Sequence, residues 1–412
     1  ATVESLTLAL GSTATVTLDA QMTDATITSG AADITLSAVG QDVDGAANGV
    51  LTVRSTVANV ANSIIKGDNA TGDTLVIIDQ VVAPLDLGAY ADLQGVESLT
   101  LALGSTATVT LDAQMTSVTV TSGAADITLS AAGQNVTSTA AASDTVRTGL
   151  LATVSGNLAL GAGGTDVLII SNTANISTAT TTEVEEIHLA INVGATMTVA
   201  QDDKISSANA TGNNTVTLTD VATAAHQLSA GVETYVLAAG ANSVTSGVAS
   251  QTINADALTD AQVLTLAGTH NVTVTLVAGD LTSTSSGNLT VTATTGSNVI
   301  TTGIGADTIT GGAGVDNMNG GDGADVFIIA AAADHAAGET ILGGLLTDVI
   351  RFTSTAAGTL TLDANVTVEE ARITDAAGVA TGVTAENINA TNAVGTIALY
   401  GNDGNNQLTG NG

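Results

Sequence analysis

The chain has no cysteine, no tryptophan, one proline, two phenylalanines and three tyrosines in 412 residues. Without cysteine there are no disulfide staples, no thiol nucleophile and no thiolate metal site. Without bulky rings, a core must be built from Val, Ile, Leu and Ala, with Thr alternating. That suits narrow stacked β-coils better than a globular core packed on aromatics. Basic residues are also scarce: six Lys and Arg stand against 39 Asp and Glu, a net charge of −33. Such a field repels phosphate backbones and anionic lipid, so neither nucleic acid nor membrane insertion is expected. No apolar run reaches the length of a membrane span. No signal peptide opens the chain, and both ends read as cuts inside longer repeats.

Catalytic signatures are missing as well. There is no H-E-x-x-H for zinc, no G-x-S-x-G elbow and no G-x-x-x-x-G-K phosphate loop. His188, His226, His270 and His335 stand alone in the sequence and read as strand or turn residues. The acid pairs Glu185/Glu186, Asp202/Asp203 and Glu369/Glu370 are adjacent, and neighbours on a strand point to opposite faces. No enzyme is expected.

What is present is repetition. Val3–Gln41 recurs at Val96–Gln134, an offset of 93, with only four of 39 positions changed. Asp73 and Asp166 keep the same offset. A signature V-E-x-φ-x-φ, with φ apolar, marks strand entry at Val3, Val96, Val184, Val232 and Val368. Its Glu is read on the outer side. Between these markers short period-two runs, such as Thr15-Val16-Thr17-Leu18, are broken by Gly, Ser, Asn or Asp. Short strands without helical periodicity argue all-β. Their repetition argues a parallel β-solenoid or β-roll, with tandem small β-sandwich domains as the alternative. The expected divisions are 1–95 and 96–183 (two β units), 184–292 (divergent repeats), 293–334 (a glycine-rich roll), 335–400 (β-rich) and 401–412 (a second roll).

The strictest stretch is Ala293–Ile328, read in nines as ATTGSNVIT, TGIGADTIT, GGAGVDNMN and GGDGADVFI. Gly296, Gly305, Gly314 and Gly323 fall fourth in each nine. Asn298, Asp307, Asp316 and Asp325 fall sixth, and Ile300, Ile309, Met318 and Phe327 eighth. This is the nonapeptide G-G-x-G-x-D-x-U-x. Gly and Asp make a tight turn, and three residues make a short strand whose eighth side chain points inward. Stacked turns bring carboxylates and carbonyls face to face. Those are the hard oxygens that Ca²⁺ takes, six to eight at a time, so ion binding and folding are coupled.

Residues 302–328 resemble the calcium-binding β-roll of RTX proteins, which Gram-negative bacteria export by type I secretion. With the V-E-x-φ-x-φ units and the Ala/Thr/Val/Gly-rich composition, the chain is similar to type I secreted bacterial surface-layer (S-layer) proteins. The resemblance implies a Ca²⁺-ordered structural protein at the cell surface that self-associates into a lattice or filament. A cell-surface polysaccharide would be met through a region outside this chain. The repeat region of a large RTX adhesin is the alternative. Asp307, Asp316 and Asp325 would supply carboxylates, and Gly303, Gly305, Gly312, Gly314, Gly321 and Gly323 would shape the turns. Asn298 takes the first Asp position, Asp322 offers an extra carboxylate, and Asp334, nine after Asp325, would close the last site. Partial nonapeptides place Asp166 and Asp73 as further ligands, with a weaker echo at Asp348. Gly401–Thr409 starts a second block with Asn in place of Asp.

Overall fold

A computed structural model describes residues 4–9, 14–45, 49–68, 72–90, 92–208 and 212–411. The repeat's first residue Val3, Ala70 and Thr71 of the echo before Asp73, and Gly412 lie outside the described residues. Contacts divide the chain into two compact units, 1–197 with 204–207, and 198–203 with 208–412. Each unit is a parallel β-solenoid.

In the first unit one row of strands runs through Ala32–Thr35, Leu51–Ser55, Thr74–Ile77, Ser98–Leu101, Ser117–Val120, Asn135–Ser138 and Asn157–Ala159. Every neighbouring pair is parallel. Register stacks Ile34, Val53, Leu75, Leu99, Val118, Val136 and Leu158 into one buried aliphatic column. The alternation of Thr with Val, Ile or Leu creates this: along each strand the apolar residues face in and the residues between them face out. The expected solenoid is what forms. The sandwich alternative is wrong, because a sandwich joins antiparallel strands and these ladders are parallel.

The 93-residue duplication also repeats its fastenings. Buried Gln41 donates from Nε2 to the Asp19 and Met22 carbonyls one coil back, and its Oε1 accepts from Ser37 and Ala38. Gln134 does the same with Asp112, Met115, Ser130 and Ala131. Arg54 grips Asp33, and Arg147 grips Asp126, each at 2.8 Å.

The second unit has one row through Thr234–Val236, Gln251–Asn254, Val272–Thr275, Leu289–Thr292, Thr308–Thr310, Val326–Ile329, Val349–Phe352 and Glu370–Ile373. A second row runs through Asp280–Ser283, Val299–Thr301, Asn317–Asp322 and Thr340–Leu345. The two rare phenylalanines, Phe327 and Phe352, are fully buried in the first row.

Two single-turn helices interrupt the strands, Val57–Val60 and Val199–Asp202. Each follows a threonine whose hydroxyl accepts from the amide three residues on, Thr56 from Asn59 and Thr198 from Gln201. One turn is too short to leave a helical period, so the cap alone encodes it. Asp202 and Asp203 therefore do not sit on a strand, as the sequence led us to expect.

Candidate metal centre

The nines do not stack on their immediate neighbours. Ile300 pairs with Met318 in one row, and Ile309 with Phe327 in the other. Each nine is thus half a coil, and vertical neighbours lie 18 residues apart. The sixth-position residues fall into two columns, Asn298 with Asp316 on one side and Asp307 with Asp325 on the other.

Within a column the geometry repeats. Asp316 Oδ1 accepts from the Asn298 amide at 2.8 Å, and Asp325 Oδ1 from the Asp307 amide at 2.8 Å. Asp307 Oδ1 accepts in turn from the Leu289 amide at 2.6 Å. The column then continues across a longer coil, where Asp348 Oδ1 accepts from the Asp325 amide at 2.8 Å. All four Asp residues are buried. In each, Oδ2 has no hydrogen-bond partner. Asn298 is likewise buried; its Nδ2 donates to the Gly279 carbonyl and its Oδ1 is unpartnered.

Glycine shapes the space around these oxygens. A Cβ at Gly311 or Gly320 would overlap the carboxyl of Asp316 or Asp325 in the same turn. Gly312 has φ +84°, and a Cβ on Gly314 would run into the Gly296 carbonyl one coil away. Gly303, Gly305, Gly321 and Gly323 line the same close approaches of turn to turn. Asp322 faces solvent on the strand that pairs with Thr340–Leu345.

Burial without a partner is costly for a charged carboxylate. Burial pushes Asp316 and Asp325 up to about 6, against the opposing pull of the Asn298 and Asp307 amides. Glu339 and Asp334 raise Asp316 further, and Asp307 and Asp348 raise Asp325. Burial also raises Asp307 and Asp348. A divalent cation among these oxygens would remove that cost. The donor set fits Ca²⁺: anionic and neutral oxygens, no nitrogen or sulfur. Among the described residues no three His, Cys, Asp or Glu side chains converge as a cluster. Backbone carbonyls of the turns would have to complete the shell.

Asp334 does not join a column. It caps its own 3₁₀ turn, Ala332–Asp334, accepting from the Ala331 amide at 2.9 Å. Asp348, not Asp334, follows Asp325. Asp166 does enter a column: its Oδ1 accepts from the Asp144 amide, and Asp144 Oδ1 from the Ala125 amide, both at 2.6 Å. Both are buried with Oδ2 unpartnered. Burial pushes Asp166 up to about 6 and raises Asp144. Asp73 differs. Its Oδ1 accepts from Leu51 and its Oδ2 from Asp68, so both oxygens are satisfied by the protein.

The glutamate of V-E-x-φ-x-φ was read as an outer residue. Glu185 and Glu369 are exposed and Glu97 and Glu233 half-buried, and the structure adds a task to that outer position. Glu97 accepts from the Asp73 amide, Glu185 from Asp166, Glu233 from Asn214 and Glu369 from Asp348, at 2.7–3.1 Å. Each glutamate is the next rung below an Asp or Asn of the preceding coil. The histidines are not alone either. His226 Nε2 lies 2.6 Å from Asp202 Oδ2 and its Nδ1 3.1 Å from Asp203 Oδ1. His188 pairs with Glu186, and His335 with Glu339. No local pattern announced these partners, which stand up to 24 residues away.

Residues 292–327 and 398–412 match the family described as RTX calcium-binding nonapeptide repeat, in four copies. No curated protein and no solved structure matches the chain. The nonapeptides are calcium-binding repeats of the RTX type, a kind typical of secreted, structural proteins. Among the described residues no helix is long and apolar enough to cross a membrane.

Proposed function

We propose that the chain is a calcium-stabilised structural segment of a bacterial surface layer, exported by the type I route and self-associating into a lattice. The observation that carries this reading is the column Asp307–Asp325–Asp348, with its buried and unpartnered carboxylate oxygens, two of them, Asp307 and Asp325, inside calcium-binding repeats. Asp316 with Asn298, and Asp144 with Asp166, extend the same arrangement. In this reading Ca²⁺ holds neighbouring coils together and sets their stacking.

Self-association is supported by an apolar edge on the glycine-rich turns. Ile304, Leu345 and Leu346 are 58%, 62% and 73% exposed. Ile304 bridges to Asp322, which pairs with Leu345, so Ile304 and Leu345 lie two coils apart on this edge, with exposed Asp322 between them. Electron microscopy of the purified chain with and without Ca²⁺ tests the proposal. Calcium-dependent sheets or filaments support it. Isolated rods in calcium would favour the repeat region of an adhesin. An unchanged circular dichroism spectrum and melt in excess EGTA would remove the calcium reading altogether.

A further inference from the structure

The second nonapeptide block, Gly401–Thr409, has Asn406 where the carboxylate belongs. Asn406 is committed to the protein: its Oδ1 accepts from the Asn402 amide and its Nδ2 donates to the Glu386 carbonyl. The block by itself therefore offers no anionic ligand at its sixth position.

The coil before it does. Ile388 pairs with Leu408, so Glu386 stands one coil above Asn406 in the same column. Residues 381–389 read T-G-V-T-A-E-N-I-N, beside T-G-I-G-A-D-T-I-T at 302–310. Gly382, Glu386 and Ile388 hold the second, sixth and eighth places, and Glu386 takes the place of Asp307. Two glycines of the nonapeptide are gone, and Glu replaces Asp.

Glu386 is only 2% exposed, and its Oε1 has no hydrogen-bond partner. Burial raises its carboxyl. Its other oxygen, Oε2, meets only the Asn402 side-chain amide, at 3.4 Å. Glu386 and Asn402 line a cavity of about 290 Å³ together with Thr353, Ser354, Asp375 and Thr384. None of the residues lining it is basic. An anionic, oxygen-lined cavity of this size admits a hydrated ion.

We propose that this cavity is a Ca²⁺ site in which Glu386 supplies the carboxylate that the second block lacks. Asp375 stands as a further oxygen donor. The site rests on the reading of the nonapeptides as calcium-binding. It adds residues 353–386 to a site whose repeat signature covers only 398–412.

Counting bound calcium on the full chain tests it, with calcium as the only added ligand. Glu386→Gln keeps the shape and removes the charge. It should lower the count by one per chain. Asp316→Asn with Asp325→Asn should lower it by different ions, and the triple variant should lose the sum. Asp375→Asn should weaken one site several-fold, and Glu386→Asp should restore part of the lost binding. Circular dichroism confirms that each variant is folded. An unchanged count in Glu386→Gln, while the Asp316/Asp325 variant loses ions, overturns this site and leaves the repeat reading intact. A wild-type chain that binds no calcium overturns both.

Discussion

Replacing Asp325 by Asn should change stability in opposite directions with and without calcium. Asp325 is completely buried, with one oxygen on the Asp307 amide and the other unpartnered. Its carboxyl is pushed up to about 6, from 3.8. In the metal-free protein at pH 7 the ionised group thus opposes folding by on the order of 3 kcal/mol, at ~1.4 kcal/mol per pKa unit. Asparagine keeps an oxygen for the Asp307 amide and removes the charge. In EGTA the variant should melt higher than the parent, by roughly 2–4 °C for each kcal/mol recovered. In calcium the order should reverse. An ion present at about 100 times its dissociation constant stabilises the parent by about 2.7 kcal/mol, and the variant loses that ion. The pH dependence follows from the same sign. A carboxylate with a raised folded pKa opposes folding above that value, and the penalty disappears as pH falls through it. The metal-free parent should therefore gain stability from pH 7 toward pH 5. The calcium-loaded parent should lose stability over the same window, because protons displace the ion. Thermal melts of both proteins in EGTA and in calcium, at pH 5 and pH 7, decide the matter. A variant less stable than the parent in EGTA would refute the reasoning, since it would show Asp325 already satisfied without metal.

Glu185→Ala should leave the amide of buried Asp166 without its acceptor, which stands at 2.8 Å, and cost about 1–3 kcal/mol in urea unfolding of the first unit. Glu186→Ala is the control, because its carboxylate meets His188 at the surface and its loss should cost under about 1 kcal/mol. His226 lies between Asp202 and Asp203, at 2.6 and 3.1 Å, and its hydrogen bond to Asp202 raises its pKa. Its contribution is complete below the ordinary histidine value and is lost as pH rises through the raised one. His226→Phe should cost about 3–5 kcal/mol at pH 6, because Asp202 is left buried with only the Tyr235 hydroxyl. Parent and variant should converge as pH rises, and parallel stability curves would rule out the imidazolium.

The inward columns were legible because they need only local alternation. Ile34, Val53 and Val118 are each flanked by polar neighbours, and a parallel coil follows from repeating that pattern. The sixth-position carboxylates were legible because nine residues hold register from Asn298 to Asp325. Their partners were not, because stacking depends on coil length. Asp307 and Asp325 are 18 apart, but Asp325 and Asp348 are 23 apart. A longer coil breaks the frame while pairing of Val326 with Val349 preserves the column. Asp144 lies in Thr-Ala-Ala-Ala-Ser-Asp, which has no glycine to signal a turn site, and only the pairing of Thr145 with Val167 reveals it. Sequence symmetry misled as well. Asp73 and Asp166 hold equivalent places, yet the Asp68 amide satisfies the second oxygen of Asp73 and nothing in the protein satisfies that of Asp166.

That contrast separates two uses of one architecture. A buried carboxylate between coils can be completed by amides, as at Asp73, and the coil is then closed by the protein alone. It can instead be left with one oxygen bare, as at Asp166, Asp316 and Asp325, and a cation would then complete the coil. Stacking makes the second choice cumulative. Asp325 feels both Asp307 and Asp348, so adding a bare carboxylate to a column raises the cost of its neighbours. Neutral Asn298 and Asn406 lower that charge. Ions entering such a column should therefore help one another, since each removes repulsion felt at the next rung. A chain with 39 acids and six bases cannot provide that relief from its own side chains.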